Sequence, residues 1–390
     1  MSDAHLEAPG SVVTSFGFGE VPSLPAAAGF AAAAPPDPPL QALRYFTGTF
    51  RGKGFNTIFR PNSADTPTRL PCSPGFSSVN ILELNLTDET LSFSPPLGLV
   101  PNRGEVQGDI FLNGVPYLQV ITDITNPAVR SPRIHVEPGL WMGLPRTMAP
   151  HEPGTLVRMA SIPHGTTICA QGGSSIVTGQ LVIPPIDIRP VTPNGPQDHF
   201  DALCAAKKGT PRIPQDLTSY IAAGTITQAM LTDPATFIRN HSQHQKITSI
   251  TKLTVKTQPG HPLFGGGVTN IAFLQGDADG INQPNARVST MESAFYIETV
   301  EFSIQVPVFQ PGQPPLVIAA EASAAGAPVP GFLINPPVAV TAPRTIKAVA
   351  TQIQYTQRVI LNFNNTTWPH ASVATLVPSE PVPVPASAWE

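Results

Sequence analysis

Segment 345–363 alternates with a period of two. Ile353, Tyr355, Val359, Leu361 and Phe363 share one face, against Gln352, Gln354, Thr356, Arg358 and Asn362 on the other. A helix would scatter both sets around its circumference, so the pattern predicts a strand with one buried face. Comparable runs recur along the chain. Segment 44–60 is aromatic-rich and carries Gly48, Gly52 and Gly54, and glycine inside a strand marks a bulge or a close backbone approach. Segment 80–93 sets Ile81, Glu83 and Asn85 against Leu82, Leu84 and Leu86, with Thr87 to Thr90 reading as a turn. Segment 111–125 holds Asn113-Gly114, a hairpin dipeptide, and then sets Tyr117, Gln119 and Ile121 against Leu118, Val120 and Thr122. Segments 133–144 and 156–162 read as paired strands, and further runs span 246–257, 288–308 and 371–377.

The count comes to roughly ten strands. Neither half of the chain has enough to close a sheet, and an open edge invites unwanted pairing. The expected fold is therefore all-β: one closed antiparallel β-barrel of about ten strands that draws on both halves. The pattern changes only at about 211–245, which reads as three short helices lying outside the barrel. Asp233 is placed to cap the third, with Pro234 after it, and Gly224 to stop the first. The expected organisation is an N-terminal arm over 1–40, a barrel domain over 41–377 with its helical insertion, and a Pro-rich tail over 378–390.

Pro (47) and Gly (31) are abundant among the 390 residues, but they are spread among apolar runs, and a hydrophobic share of 41% can build a core. Long Pro-rich loops on a folded body are expected rather than disorder. Charged residues make up 12%, the net charge is −4 and Lys and Arg form no cluster, so neither nucleic acid nor an anionic membrane is an expected partner. Cys72, Cys169 and Cys204 are odd in number and widely spaced, which indicates no disulfide framework. The first residues lack a basic stretch followed by an apolar one, and the apolar run 30–36 is too short to span a bilayer, so a cytoplasmic location is expected.

Several possible sites have plain readings. His241 and His244 have HxxH spacing near His261, but they read as a surface helix end. Asp277 and Asp279 begin like a calcium loop and lack its later ligands, so a turn is expected. No serine stands in a G-x-S-x-G elbow. His135, His164 and His370 remain, accompanied by the aromatics Phe50, Trp141, Tyr355 and Trp368. His135 and Glu137 share a face near a strand end, and either a cavity mouth or solvent could lie on that side. A single histidine at a strand end is more often a structural residue than a ligand.

Four stretches resemble the nitrobindin family of ten-stranded, lipocalin-shaped haem-binding barrels. Gly48-Thr49-Phe50-Arg51-Gly52-Lys53-Gly54 is similar to that family's G-T-W-x-G-x-G first strand, with Phe50 in place of Trp. Glu137-x-Gly139-Leu140-Trp141 resembles its E-x-G-aromatic-W/R strand. Ile162-Pro163-His164-Gly165 stands where the family has a P-T-G turn, and 370–376 is similar to its last strand, which begins with the iron-ligating histidine. Segment 173–288 has no counterpart in that pattern. The resemblance implies haem in the cavity, His370 as its metal ligand, His164, His135 and Trp141 as further cofactor-binding residues, and nitric oxide or peroxynitrite chemistry.

From His370 the strand alternates, so His370, Ser372, Ala374 and Leu376 share a face whose small residues leave room for a flat ring. Two other uses fit the same sequence. One is a metal-free, lipocalin-like carrier or enzyme for a small hydrophobic ligand, and the other is a structural protein whose Pro-rich loops meet a partner.

Overall fold

The computed structural model describes residues 36–60, 81–125, 131–196, 217–258, 265–276, 285–363 and 365–390. Residues 1–35, Cys72, Cys204, His261, Asp277 and Asp279 lie outside them.

Ten antiparallel strands form a closed barrel. They are β1 (Gly48–Arg60), β2 (Ile81–Phe93), β3 (Ile110–Asp123), β4 (Arg133–Leu144), β5 (Thr155–Ile162), β6 (Thr166–Ile176), β7 (Lys246–Lys256), β8 (Arg287–Val306), β9 (Arg344–Phe363) and β10 (Thr366–Pro378). Each pairs with the next along the chain, and β10 pairs back onto β1 from Phe50↔Pro378 to Thr57↔Ala371. The expected single barrel built from both halves is what forms.

The glycines of β1 serve this closing seam. A Cβ on Gly52 would stand 1.9 Å from the Thr375 carbonyl oxygen, and one on Gly54 would stand 2.7 Å from that of Val373. These are close backbone approaches within an unbroken register, not bulges.

Three expectations change in detail. Residues 87–90 are not a turn, because β2 runs straight through them and pairs with both β1 and β3. Asn113-Gly114 is not a hairpin turn either. It lies inside β3, where a Cβ on Gly114 would meet the Trp141 carbonyl oxygen at 2.5 Å. His370 does not open its strand, since β10 begins at Thr366 and carries Pro369 within it. In each case the local turn or proline signal yields to pairing on both sides.

Helices α1 (Thr218–Ala222), α2 (Gln228–Thr232) and α3 (Ala235–Ser242) lie against the outer face of the barrel, as expected. Asp233 Oδ1 accepts from the Ala235 N–H, and Gly224 follows α1 with φ +69. Leu217, Ile226, Met230, Leu231, Phe237 and Ile238 cover Leu82, Leu84 and Leu86 of β2 with Phe55, Ala371 and Val373. The leucine face of β2 therefore points outward, and Glu83 and Asn85 point into the barrel.

His241 departs from the surface reading. It is buried at 4% exposure and pairs through Nδ1 with Thr375 Oγ1 at 3.0 Å. Gln352 and Gln354 of β9 are likewise buried beneath this cover, hydrogen-bonded to Gln245, Glu298, Thr375 and the Ile238 carbonyl. The long ends of β8 and β9 are packed against a small sheet of Leu316–Ala319, Gly331–Ile334 and Val382–Pro383. The C-terminal tail belongs to this packing, and Trp389 is buried there.

Inside the barrel, one half of the lumen is solid. Phe46, Phe50, Phe93, Trp141, Phe295 and Tyr355 stack through it, and Leu43 and Phe46 around a short 3-10 helix (Gln41–Tyr45) enter from that end. Trp141 meets the Phe295 ring edge-on at 5.3 Å and the Phe46 ring at 5.6 Å. Phe50, Trp141, Tyr355 and Phe363, large aromatics on barrel strands, are all buried, at 3, 1, 2 and 7% exposure. Trp141→Ala should lower unfolding free energy in urea by about 3–5 kcal/mol, and a loss below about 1 kcal/mol would contradict this core.

Candidate functional site

The other half of the lumen is open, with a volume of about 510 Å³, within the range of small-molecule sites. Apolar side chains from several strands line it, among them Ile58, Ile121, Ile168, Met291, Val359 and Leu361. Arg60, Glu83 and Arg133 also line it. His135, His164 and His370 all face this cavity. The structure thus brings together three of the four residues singled out from the sequence. Trp141 is not among the cavity residues. It fills the solid half, where its ring packs with Phe46, Phe295 and the Arg158 guanidinium.

His370 stands on β10 opposite Val359 of β9, beside the seam. Burial pushes its pKa down to about 3, with the charges of His135 and His164 adding to the shift, so the ring is neutral at ordinary pH. Its Nε2 accepts from Asn56 Nδ2 at 2.7 Å, and the same amide donates to Ser372 Oγ at 2.8 Å.

His164 sits in the turn between β5 and β6, where Gly165 takes φ +101. Burial, then the charge of His135, lowers its pKa, while a hydrogen bond to the Ile134 backbone acts the other way. Residues 271–274 pack over this turn, and Leu274 reaches the cavity. The His135 and His164 rings lie 6.0 Å apart.

His135 leads into a buried network that the sequence reading left unassembled. Its Nε2 donates to Glu137 Oε2 at 3.0 Å. Glu137 Oε1 accepts from Arg158 Nη2 at 2.6 Å and from the Tyr117 hydroxyl. Arg158 also donates to Tyr117 Oη at 2.8 Å and to Gln357 Oε1 at 2.7 Å. Burial would raise the Glu137 pKa, but the Arg158 charge and the bonds from His135 and Tyr117 outweigh it and hold it at about 2. Glu137 is fully enclosed, so the solvent-facing alternative for this residue does not hold; His135 keeps partial exposure at the cavity. The available signals were Arg158 within an apolar run and Gln119 between Tyr117 and Ile121 on an inward face.

Glu89, which the sequence placed in a turn, is inside the barrel. Its Oε2 accepts from the Tyr355 hydroxyl at 2.6 Å and from Gln119 Nε2 at 3.3 Å, and its Oε1 accepts from Thr87 Oγ1 at 2.9 Å. Burial raises its pKa to about 7 against these three hydrogen bonds and the charge of His135.

The cavity is largely apolar and partly open, with the neutral, part-buried His370 imidazole on its wall and Arg133 and the Arg60–Glu83 ion pair (3.0 Å) among its lining. Among the described residues, no group of three His, Cys, Asp or Glu side chains could hold a metal ion by itself. No helix among the described residues is long and apolar enough to cross a membrane.

No family model matches the sequence, and no curated protein matches it. Among solved structures, the chain is similar to the crystal structure of Rv2717c from M. tuberculosis. That match has 10% identity and a TM-score of 0.33, over 87% of this chain and 97% of the other.

The buried groups give a specific pH profile. His370 and His241 (pKa lowered to about 4 by burial) are neutral in the folded state and take up protons on unfolding below about pH 6.5, so their contribution is lost as pH falls. Glu89 and Glu298 (raised to about 8 by burial, against a bond from Gln352) hold protons that the unfolded chain releases above about pH 4.5, so theirs is lost as pH rises. Between these limits the two pairs oppose each other. In urea titrations across that window, Glu89→Gln should shift the slope of stability against pH upward, and His370→Gln should shift it downward, each by up to about 1.4 kcal/mol per pH unit relative to the wild type. Parallel profiles for the two variants would contradict the assignment.

Proposed function

We propose that the barrel binds a flat hydrophobic molecule in its open half, that haem is this molecule, and that His370 is its axial ligand. One observation carries the reading: three imidazoles face a single apolar cavity inside a closed barrel. The resemblance of four stretches to nitrobindins supports haem in particular. His370 is neutral and part-buried on the cavity wall, so its imidazole could hold an iron. An iron would take the Nε2 lone pair in place of Asn56, whose amide keeps Ser372 as a partner. His164 and His135 line the same cavity as polar neighbours, and Arg133 would suit a carboxylate of the ring, while Arg60 is paired with Glu83. When bound, haem would supply binding and redox chemistry toward small oxidants or diatomic gases, including the peroxynitrite chemistry that the resemblance implies. The protein's part is to exclude water and hold the imidazole in place.

Metal-free carriage of a small hydrophobic molecule is the second reading. The bond from Asn56 to His370 Nε2 favours it, because the ring is already satisfied without a metal.

Haemin titration separates the two. The wild type should develop a sharp Soret band at one equivalent, and His370→Ala should lose it or bind at least about tenfold more weakly, a difference of about 1.4 kcal/mol. Equal binding by both proteins, or by neither, removes His370 as a ligand and leaves the carrier.

A further inference from the structure

The pair Glu89–Tyr355 is used by neither reading. Tyr355 lines the cavity, and Glu89 lies directly behind it, 3% exposed. Every element around Glu89 contributes something other than a counter-charge. β1 presents Gly54, where a Cβ would stand 2.3 Å from Glu89 Oε1. β2 presents Thr87, β3 presents Gln119 and β9 presents Tyr355, all as neutral donors. The nearby cation Arg158 is engaged by Glu137, Tyr117, Ser293 and Gln357, and His135 by Glu137. A carboxyl enclosed without a cation holds its proton far more readily than one in water.

We infer that Glu89 sets, through Tyr355, whether the inner end of the cavity offers a hydrogen-bond donor, and that the site selects ligands presenting a neutral carbonyl-type oxygen there. This rests on the cavity being a ligand site. With Glu89 ionised, the Tyr355 proton is committed to Glu89 across 2.6 Å, and the phenol oxygen accepts from Gln119 Nε2 at 3.1 Å. With a proton taken from solvent onto Oε2, the carboxylic O–H donates to the phenol oxygen instead. The phenolic proton is then released from Glu89, and on this inference its new acceptor lies in the cavity that Tyr355 lines. A ligand oxygen can accept that proton only in the second state, so binding takes up one proton as pH passes through the range in which Glu89, with its pKa near 7, titrates.

Two measurements test this. Infrared difference spectra of ligand-free protein between about pH 5 and about pH 9 should contain a buried carboxylic-acid band that is lost as pH rises, present in Glu298→Gln and absent in Glu89→Gln. Calorimetric binding of benzophenone, a ketone that does not titrate, should weaken by up to about tenfold per pH unit above about pH 7. Diphenylmethane, which lacks the oxygen, should bind with little pH dependence. Glu89→Gln should flatten the benzophenone profile, and Tyr355→Phe should bring the two probes to equal affinity. A missing Glu89 band, or one pH profile shared by both probes, overturns the inference while the cavity stands. Failure of both probes to bind overturns the cavity reading, and the ligand class with it.

Discussion

The interior of this barrel depends on the ion pair between Glu137 and Arg158. Each charge alone would cost several kcal/mol to enclose, and removing one partner from such a pair typically costs about 3–5 kcal/mol. Here both are fully buried, and Tyr117, His135, Ser293 and Gln357 occupy their remaining hydrogen-bonding positions. The pair adjoins both regions of the lumen. Trp141, Phe295 and Tyr117 present their rings to the guanidinium, while His135 and Gln357 belong to the cavity wall. A polar layer of this kind resists being filled by hydrophobic side chains, because each member needs its partners. It separates a solid half, which provides packing, from an open half, which can hold a guest.

The two faces of the wall are used unusually. In a barrel with a fully apolar core, the leucines of β2 would point inward. Here Leu82, Leu84 and Leu86 point out, beneath the helices of the insertion, and Glu83 and Asn85 of the same strand face the lumen. The helical cover also encloses Gln352 and Gln354, which a bare barrel would expose, and buries its own His241 against Thr375. The insertion thus releases part of the lumen from the work of forming a core.

Much of this was legible in the sequence. Period-two runs such as 345–363 gave nearly all the barrel strands, and the glycines of β1 gave the close approach at the seam. Asp233 and Gly224 marked helix boundaries correctly. His135, His164 and His370 were found as separate residues, but periodicity cannot say that strands β4 and β10 and the β5–β6 turn bring them to one cavity. Glu89 was misplaced because Thr-Asp-Glu-Thr has the composition of a turn, and only pairing on both sides makes it a strand. Gln352 and Gln354 looked solvated for a similar reason, since what covers them lies about a hundred residues earlier in the chain. Local chemistry reads elements well, but it does not read what a distant segment will cover.

The seam between β1 and β10 has a consequence for how the molecule is made. Phe50 pairs with Pro378, so the first barrel strand waits for all the other barrel strands before it finds its second neighbour. During synthesis β1 and β2 can pair, and successive strands can be added, but the growing sheet keeps a free edge until the end. The Gly-rich edge of β1 would be exposed throughout that time, and such edges are the usual starting points of intermolecular pairing. Closure of the lumen, and with it the site, waits until β10 has been made and reaches β1.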